Sequence, residues 1–500
     1  MAQSIESPRR GSALSRRSLL QGTGVLGTAG LLAACGAGGD DEGSNSGNGG
    51  NGGGGKTTVK VWTVPEGPSD EQFQREQFDI FMENNPDIEV ELQFFAGDAY
   101  GNAMQLAYAG GADDAPDVFR QSGAGNLLLR DLVSRGWIQP LDEFVTDDFS
   151  SRFPDWVMDP ARSPLFVDGE LYGVPRPDPR VQALRPLFYN IDILEDFGYS
   201  APPTTWSESR EMAERITTDG DQAVYGTVGQ NFLVLQRFAG PHPHGGDNQP
   251  AISLLDGEPM ATDPSFVNVA EFGQAMQRDG VFTPGWESWG GTDAIQQMAA
   301  GRLAMYMYPI FHANEIRNAN PDINLGIAAP PMPDDGMAGT LKPNNNVLGF
   351  WFMNSETQVS EAAWRVLDFF GSVEFQQAAF QSERQISLMP AVYDGIEVDP
   401  DTEAFRSIAD EIVRIHPDPF LVDQASEEFY RQLVENGERP FAGGILGGAL
   451  TDPNADYEAQ AAAHDEQLQE LIDVTLEEGI IDSMEPFINP DWDPLVDYEM

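Results

Sequence analysis

Residues 57–62, Thr57-Thr58-Val59-Lys60-Val61-Trp62, are followed one helix length later by Ile88-Glu89-Val90-Glu91-Leu92-Gln93-Phe94-Phe95. Both runs alternate and are rich in β-branched and aromatic residues, so each predicts a strand. Between them a loop with Pro65, Gly67 and Pro68 leads into a predicted helix. Ser69 is its expected N-cap, Phe73, Phe78, Phe81 and Met82 share one face, and Asn84-Asn85-Pro86 stops it. Asp98 to Tyr108 predicts a second helix, and Pro116-Asp117-Val118-Phe119 a third strand. Strand–helix–strand alternation implies a parallel sheet covered by helices on both faces. Ligands of such sheets sit beyond the carboxyl ends of the strands. Trp62, the turn from Asp98 to Tyr100, and Gln121 fall at those ends.

Upstream, Ser15-Arg16-Arg17-Ser18-Leu19-Leu20 precedes a short Gly-rich apolar run that ends at Cys35, the only cysteine in the chain. The run is too short to cross a hydrocarbon core of about 30 Å as a stable helix, so residues 1–34 read as a cleaved export signal. Arg16 and Arg17 resemble the pair of a twin-arginine (Tat) signal, which exports folded proteins. Leu32-Ala33-Ala34-Cys35 is similar to a lipobox, whose cleavage leaves a lipid-bearing Cys35 at the N-terminus. Residues 35–55 are almost wholly Gly, Asn, Ser and Asp and cannot bury apolar surface, so they read as a tether. Its r.m.s. span is roughly 25 Å. The expected location is the outer face of the cell membrane.

The charge balance is extreme, with 28 Lys plus Arg against 80 Asp plus Glu and a net charge of −52. Self-repulsion of that size destabilises a compact state in dilute buffer. At 1 M salt the Debye length falls to about 3 Å and the repulsion is largely screened. The balance is similar to that of haloarchaeal proteins, and it makes most carboxylates a solvated surface. No basic patch is available to meet phosphate, which argues against nucleic acid as a partner.

Further along stand Ala115-Pro116-Asp117-Val118, then Asp168-Gly169-Glu170-Leu171-Tyr172-Gly173-Val174-Pro175 with Leu187-Phe188-Tyr189-Asn190 and Pro202-Pro203-Thr204-Thr205-Trp206. Met298-Ala299-Ala300-Gly301-Arg302-Leu303-Ala304-Met305 and Ala362-Ala363-Trp364 to Phe370, with Phe375-Gln376-Gln377, complete the series. Asp168-Gly169 is a hairpin-turn signal, and Pro202 to Ser207 reads as a loop leading into a helix with a Ser or Thr cap. In this order the motifs resemble the extracellular solute-binding proteins of ABC importers, in the branch of the maltose-type sugar receptors. The resemblance spans most of residues 57–395, and the last hundred residues match it only loosely.

The resemblance implies a type II periplasmic-binding-protein-like α/β fold, with a hinge and a ligand cleft between two lobes. Lobe 1 is expected at 56–178 plus 350–393 and lobe 2 at 182–345 plus 398–500. Crossings are expected near Arg176–Arg185, Asn344–Gly349 and Ala391–Asp399. A sugar offers apolar C–H faces and a rim of hydroxyls, so its receptor needs aromatic planes and planar polar side chains. Candidates are Trp286 and Trp289, two tryptophans in the Gly-rich loop 285–291, with Trp62, Tyr306 and Tyr308. Arg176 and Arg180 at the first crossing and Asn345 at the second join them, as do Asp98, Tyr100 and Gln121.

The expected function is capture of an extracellular solute, most readily a sugar or oligosaccharide, and its delivery to an ABC permease by a monomer. Sugar acids, polyols and glycerol phosphodiesters are alternative solutes, an exported polysaccharide hydrolase and a chemosensory receptor alternative functions. No cofactor, metal or catalytic residue is expected. His242-Pro243-His244 with Asp247 lacks spaced partners for zinc, and the body has no Gly-x-Ser-x-Gly elbow or phosphate-binding Gly loop. The charge yields a first expected outcome. Raising KCl from about 0.1 M to about 2 M shrinks the Debye length from about 10 Å to below 3 Å and raises the unfolding temperature. A scan showing no rise would mean that the carboxylates do not oppose folding.

Overall fold

The computed structural model describes residues 55–499 except 66–67, 111–114, 121–128, 161, 176, 222, 231, 246–248, 344–348, 384 and 424. Two sheets organise them. The first has the order β2-β1-β3-β10-β6. It contains β1 (Thr57–Thr63), β2 (Ile88–Phe94), β3 (Val118–Arg120), β6 (Gly173–Pro175) and β10 (Gly349–Met353). As the alternation requires, β1 pairs parallel with β2 and with β3. The late strand β10 then runs antiparallel between β3 and β6. The second sheet is β8-β7-β9, antiparallel throughout, built of β7 (Leu187–Asn190), β8 (Met305–Met307) and β9 (Leu325–Ala328). Between the two in sequence lies the hairpin of β4 (Phe166–Val167) and β5 (Glu170–Leu171). Its turn holds Asp168 at φ 54° and Gly169 at φ 82°, the left-handed pair that a two-residue turn demands.

The first helix runs Pro68–Asn84, so Ser69 lies inside it rather than capping it. Proline suits the first helical position, where its missing N–H is not needed. Phe73, Phe78 and Phe81 are buried as the spacing predicts. They meet Phe375, Phe370 and Phe369 of the late helices Ser360–Phe370 and Val373–Glu383, at ring centroid distances of 5.8, 5.5 and 5.3 Å. Phe370 also stacks on Trp351 of β10 at 4.2 Å. On the helix Gly97–Gly110, Tyr100, Met104 and Ala107 are buried. Thr205 caps the helix Trp206–Asp219 through a capping box with Glu208.

The loosely matching last hundred residues complete the second half. Pro400–Ile412 places Phe405 against Phe188 of β7. In the helix Ala442–Thr451, Leu450 packs so tightly on Gly273 that a Cβ there would stand 2.0 Å from it. A separate apolar cluster joins Ile252 to Phe429, Tyr430, Leu433, Leu468, Ile472 and Phe487. No helix among the described residues is long and apolar enough to cross a membrane.

The aromatic packing predicts a sharp contrast. Phe370→Ala empties a fully buried site and should cost about 3–5 kcal/mol. Leu106→Ala, on an exposed side chain, should change stability by less than about 0.5 kcal/mol. Chemical denaturation in molar KCl measures both; equal losses would mean that the core is drawn wrongly.

Candidate functional site

The registers locate the site. Trp351 of β10 lies opposite Arg120 at the end of β3, and Gly349 lies opposite Pro175 at the end of β6. The carboxyl ends of β1, β3 and β6 and the start of β10 therefore share one edge of the first sheet. From that edge the chain leaves after Pro175 to enter the second sheet at Leu187, and it comes back into Gly349 from Ala328. In the second sheet Leu187 pairs with Met307 and Ala328, so the start of β7 and the ends of β8 and β9 share the corresponding edge. A third passage, residues 384–399, runs from Val373–Glu383 to Pro400–Ile412. The passages brace one another: Pro177 bridges Ser387, and Asp178 N donates to Ile386 O.

Aromatic side chains collect at both edges. On the first, Trp62 lies 4.7 Å from Phe95, and Phe95 lies 5.6 Å from Tyr100. Trp62 and Phe95 are half-buried. Tyr100 is wholly buried, and its hydroxyl donates to Arg120 O at 2.8 Å. That corrects the expectation for Tyr100: the ring is packing, because its hydroxyl is needed to hold the end of β3. Burial pushes that phenol far above its ordinary value. Asp98 lies in the first turn of Gly97–Gly110.

On the second edge, Tyr308 N donates to Pro186 O, which places Tyr308 where the first passage arrives. Its ring stacks on His312 at 3.8 Å, and Phe311 beside it is 52% exposed. Tyr306 is fully buried with its hydroxyl 2.9 Å from His312 Nδ1, so it supports the cluster from below and shows no face to a solute. Trp286, also expected in the site, is 8% exposed. It packs on Phe282 and over Gly229, where a Cβ would stand 2.4 Å from the indole. A Gly-rich loop buries its tryptophan here because the opposing residue is itself a glycine. Trp289 stays half-buried, and its carbonyl accepts from Gln230 Nε2 at 2.9 Å.

Arg180 spends its guanidinium on Asp410, at 2.9 Å, and on Ala409 O. Gln121, Arg176 and Asn345 lie outside the described residues, as do Arg16, Arg17 and Cys35.

Sequence reasoning missed the polar floor of the first edge. Arg120 Nη1 lies 3.6 Å from Asp70 Oδ2 and donates to Val64 O at 2.5 Å. Asp70 Oδ2 also accepts from Gln74 Nε2 at 2.9 Å. All three side chains are buried. A buried pair adds little net stability, but it holds fixed geometry where two strand ends and a helix start converge. The available signal was an arginine directly after an apolar strand in a chain poor in cations. The described residues also line a groove of 480 Å³ between Asn489 and Glu499, which contains none of the expected site residues.

The sequence profile of the bacterial extracellular solute-binding proteins matches residues 62–377. A binding protein of Brucella abortus strain 2308 is 26% identical over 330 residues, 66% of this chain and 74% of that one. The melibiose/raffinose/stachyose-binding protein of Bacillus subtilis strain 168 is 22% identical over 293 residues, 55% of this chain and 62% of that one. An ABC-transporter solute-binding protein from Thermotoga lettingae, solved with α-D-tagatose, superposes with a TM-score of 0.61 at 19% identity. The superposition covers 83% of this chain and 100% of that one. The shared architecture is the two-lobe α/β fold.

Burial also sets a pH limit. Desolvation holds His242, His244 and His416 well below the ordinary imidazole value and takes His312 down to about 3. Each is neutral when folded and titrates near 6.5 when unfolded, so the unfolded chain binds more protons below that pH. Their stabilisation is fully present above about 6.5 and is lost progressively as pH falls. Denaturation midpoints at fixed KCl should decline from pH 7 to 5; His312→Gln should flatten part of that slope.

Proposed function

The chain belongs to the bacterial extracellular solute-binding proteins, and on that footing we propose that it captures a carbohydrate for an ABC permease. The observation that carries this reading is that the edge of each sheet where the chain passes to the other carries incompletely buried aromatics, Trp62 and Phe95 at the first and Tyr308 and Phe311 at the second. Aromatic planes suit the C–H faces of a sugar, and the neighbouring amides and carboxylates suit its hydroxyls. The sugar named for the B. subtilis relative and the tagatose in the T. lettingae structure support the same class. The pairing of Arg180 with Asp410 favours a neutral solute over an anionic one.

Closure is a hinge motion about the three passages, with lobes at 56–178 plus 350–393 and 182–345 plus 398–500. Binding energy from both lobes stabilises the shut form, which the permease distinguishes from the open one. The solute leaves unchanged, so no catalytic residue is assigned. The N-terminal motifs support export through Arg16 and Arg17 and mooring by lipid on Cys35, with the body a monomer outside a cell that lives in concentrated salt.

A thermal-shift panel of melibiose, raffinose, maltose and D-tagatose in about 2–3 M KCl, where the Debye length is at or below about 3 Å, tests the reading. A ligand at 100 times its Kd adds about 2.7 kcal/mol of stability. Trp62→Ala and Tyr308→Ala should each weaken binding about threefold to tenfold, the worth of one aromatic contact. No shift with any carbohydrate would remove the sugar assignment, and turnover of a bound oligosaccharide would remove the receptor.

A further inference from the structure

The second sheet extends beyond β8. Residues 225–227 run parallel to that strand: Tyr225 bridges Leu303, Tyr225 N donates to Arg302 O at 3.0 Å, and Ala304 N donates to Tyr225 O at 2.9 Å. Residues 281–283 run parallel to 225–227 in turn. Thr227 bridges Phe282, and Thr283 N donates to Thr227 O at 3.2 Å. The order across the sheet is therefore β9, β7, β8, 225–227 and 281–283. Parallel neighbours end at the same edge. Because β8 ends where the first passage arrives, the segments that follow 225–227 and 281–283 continue that edge outward from Tyr308. Adjacent strands lie about 4.8 Å apart, so the loop 284–289 stands about 10 Å along the edge from Tyr308. On the first sheet Trp62 and Phe95 likewise lie at the ends of β1 and β2, the two strands farthest from β6.

The loop holds one indole at that position. Trp286, buried against Phe282 and over Gly229, anchors it from below. Trp289 N donates to Trp286 O at 3.0 Å, and Trp289 O accepts from Gln230 Nε2 at 2.9 Å. Gly290 N then donates to Asp293 Oδ2 at 2.7 Å, which opens the helix Gly291–Ala299. The backbone of Trp289 is fixed on both sides while its side chain stays half-buried. Among the described residues no ring stacks on its indole and no acceptor takes its N–H. Trp206 shows the contrast: it stacks on Phe272 at 5.1 Å and donates to Pro331 O at 3.1 Å. A half-exposed, unstacked indole on a fixed backbone suits the C–H face of a sugar, because little loop freedom is left to lose on binding.

We propose that Trp289 is the platform of a distal subsite, and that the solute is an oligosaccharide lying along the strand ends of the second sheet rather than a single sugar. The proposal rests on the carbohydrate reading above and narrows it. Tyr308 and the loop of Trp289 are about 10 Å apart along the edge, farther than one hexose ring reaches. A monosaccharide therefore meets one of the two aromatics, and a longer chain meets both. Trp289 adds to binding only when the solute is long enough to span that distance, which makes it a determinant of chain length. Gln230 is a positioning residue, since it holds the Trp289 carbonyl. One aromatic contact is worth about threefold to tenfold in affinity.

Titration calorimetry of the full chain tests this, in about 2–3 M KCl to keep the Debye length at or below about 3 Å. Two length series are compared: D-galactose, melibiose, raffinose and stachyose, and D-glucose, maltose and maltotriose. In the wild-type sequence at least one series should tighten with length. Trp289→Ala should weaken the longest member of that series about threefold to tenfold and leave binding of its monosaccharide unchanged. Trp289→Leu fills the space without a ring and should lose the same increment, whereas Trp289→Phe should keep most of it. Tyr308→Ala should weaken every length alike. Long sugars that bind Trp289→Ala or Trp289→Leu as tightly as the wild type overturn the subsite, as does an equal loss on monosaccharide and trisaccharide. A monosaccharide that binds as tightly as its longer relatives also overturns it, and leaves the carbohydrate reading standing. Failure of every sugar to bind the wild type overturns both together.

Discussion

The antiparallel insertion of β10 between β3 and β6 is the constraint on which the molecule depends. A purely parallel sheet would send its return connections to the far edge. One late strand running the other way brings the returning chain in at the edge where β1, β3 and β6 end. The passages to the second lobe therefore leave from the place where backbone ends and helix starts leave a crevice for ligands. The chain's passages between the two sheets and the carboxyl ends of β1, β3 and β6 share one edge because of a strand register. The second sheet answers with the start of β7 and the ends of β8 and β9 at its own passage edge.

Charge shapes the rest. With 28 cations against 80 acids, each arginine has many available partners, and the buried or half-buried ones occupy joints. Arg120 ties β3 to the first helix through Asp70. Arg180 meets Asp410 where the first passage reaches Pro400–Ile412, and Arg317 anchors Asp401 at the start of that same helix. Exposed pairs are worth little and are screened in salt. The partly buried ones keep their influence on geometry where molar salt removes the others.

Much of the fold was legible in local pattern. The alternation of 57–62 and 88–95, the Asp168-Gly169 turn and a Ser or Thr cap within 202–207 each act over a few residues, and each appears in the structure, the cap falling on Thr205. The order of motifs carried the family for the same reason, since each motif is a local solution to a local problem. The candidate site was less legible. Trp62 and Tyr308 stand at the passage edges, whereas Tyr100, Tyr306 and Trp286 are buried. An aromatic residue after a strand reads alike whether it faces a crevice or a neighbour 40 residues away. The difference lies in Arg120 O needing the Tyr100 hydroxyl, in His312 receiving Tyr306, and in Gly229 leaving room for an indole.

The sequence by itself determined the strand–helix–strand opening, the turn and cap positions, the acidic surface and the family, because periodicity, backbone chemistry and net charge are properties of neighbouring residues or of simple sums. Tertiary structure alone decided which aromatics remain accessible and that Arg120 and Asp70 floor the first edge. Those outcomes depend on contacts between residues separated by tens to hundreds of positions, and the desolvation that gives them their chemistry exists only after the chain has packed.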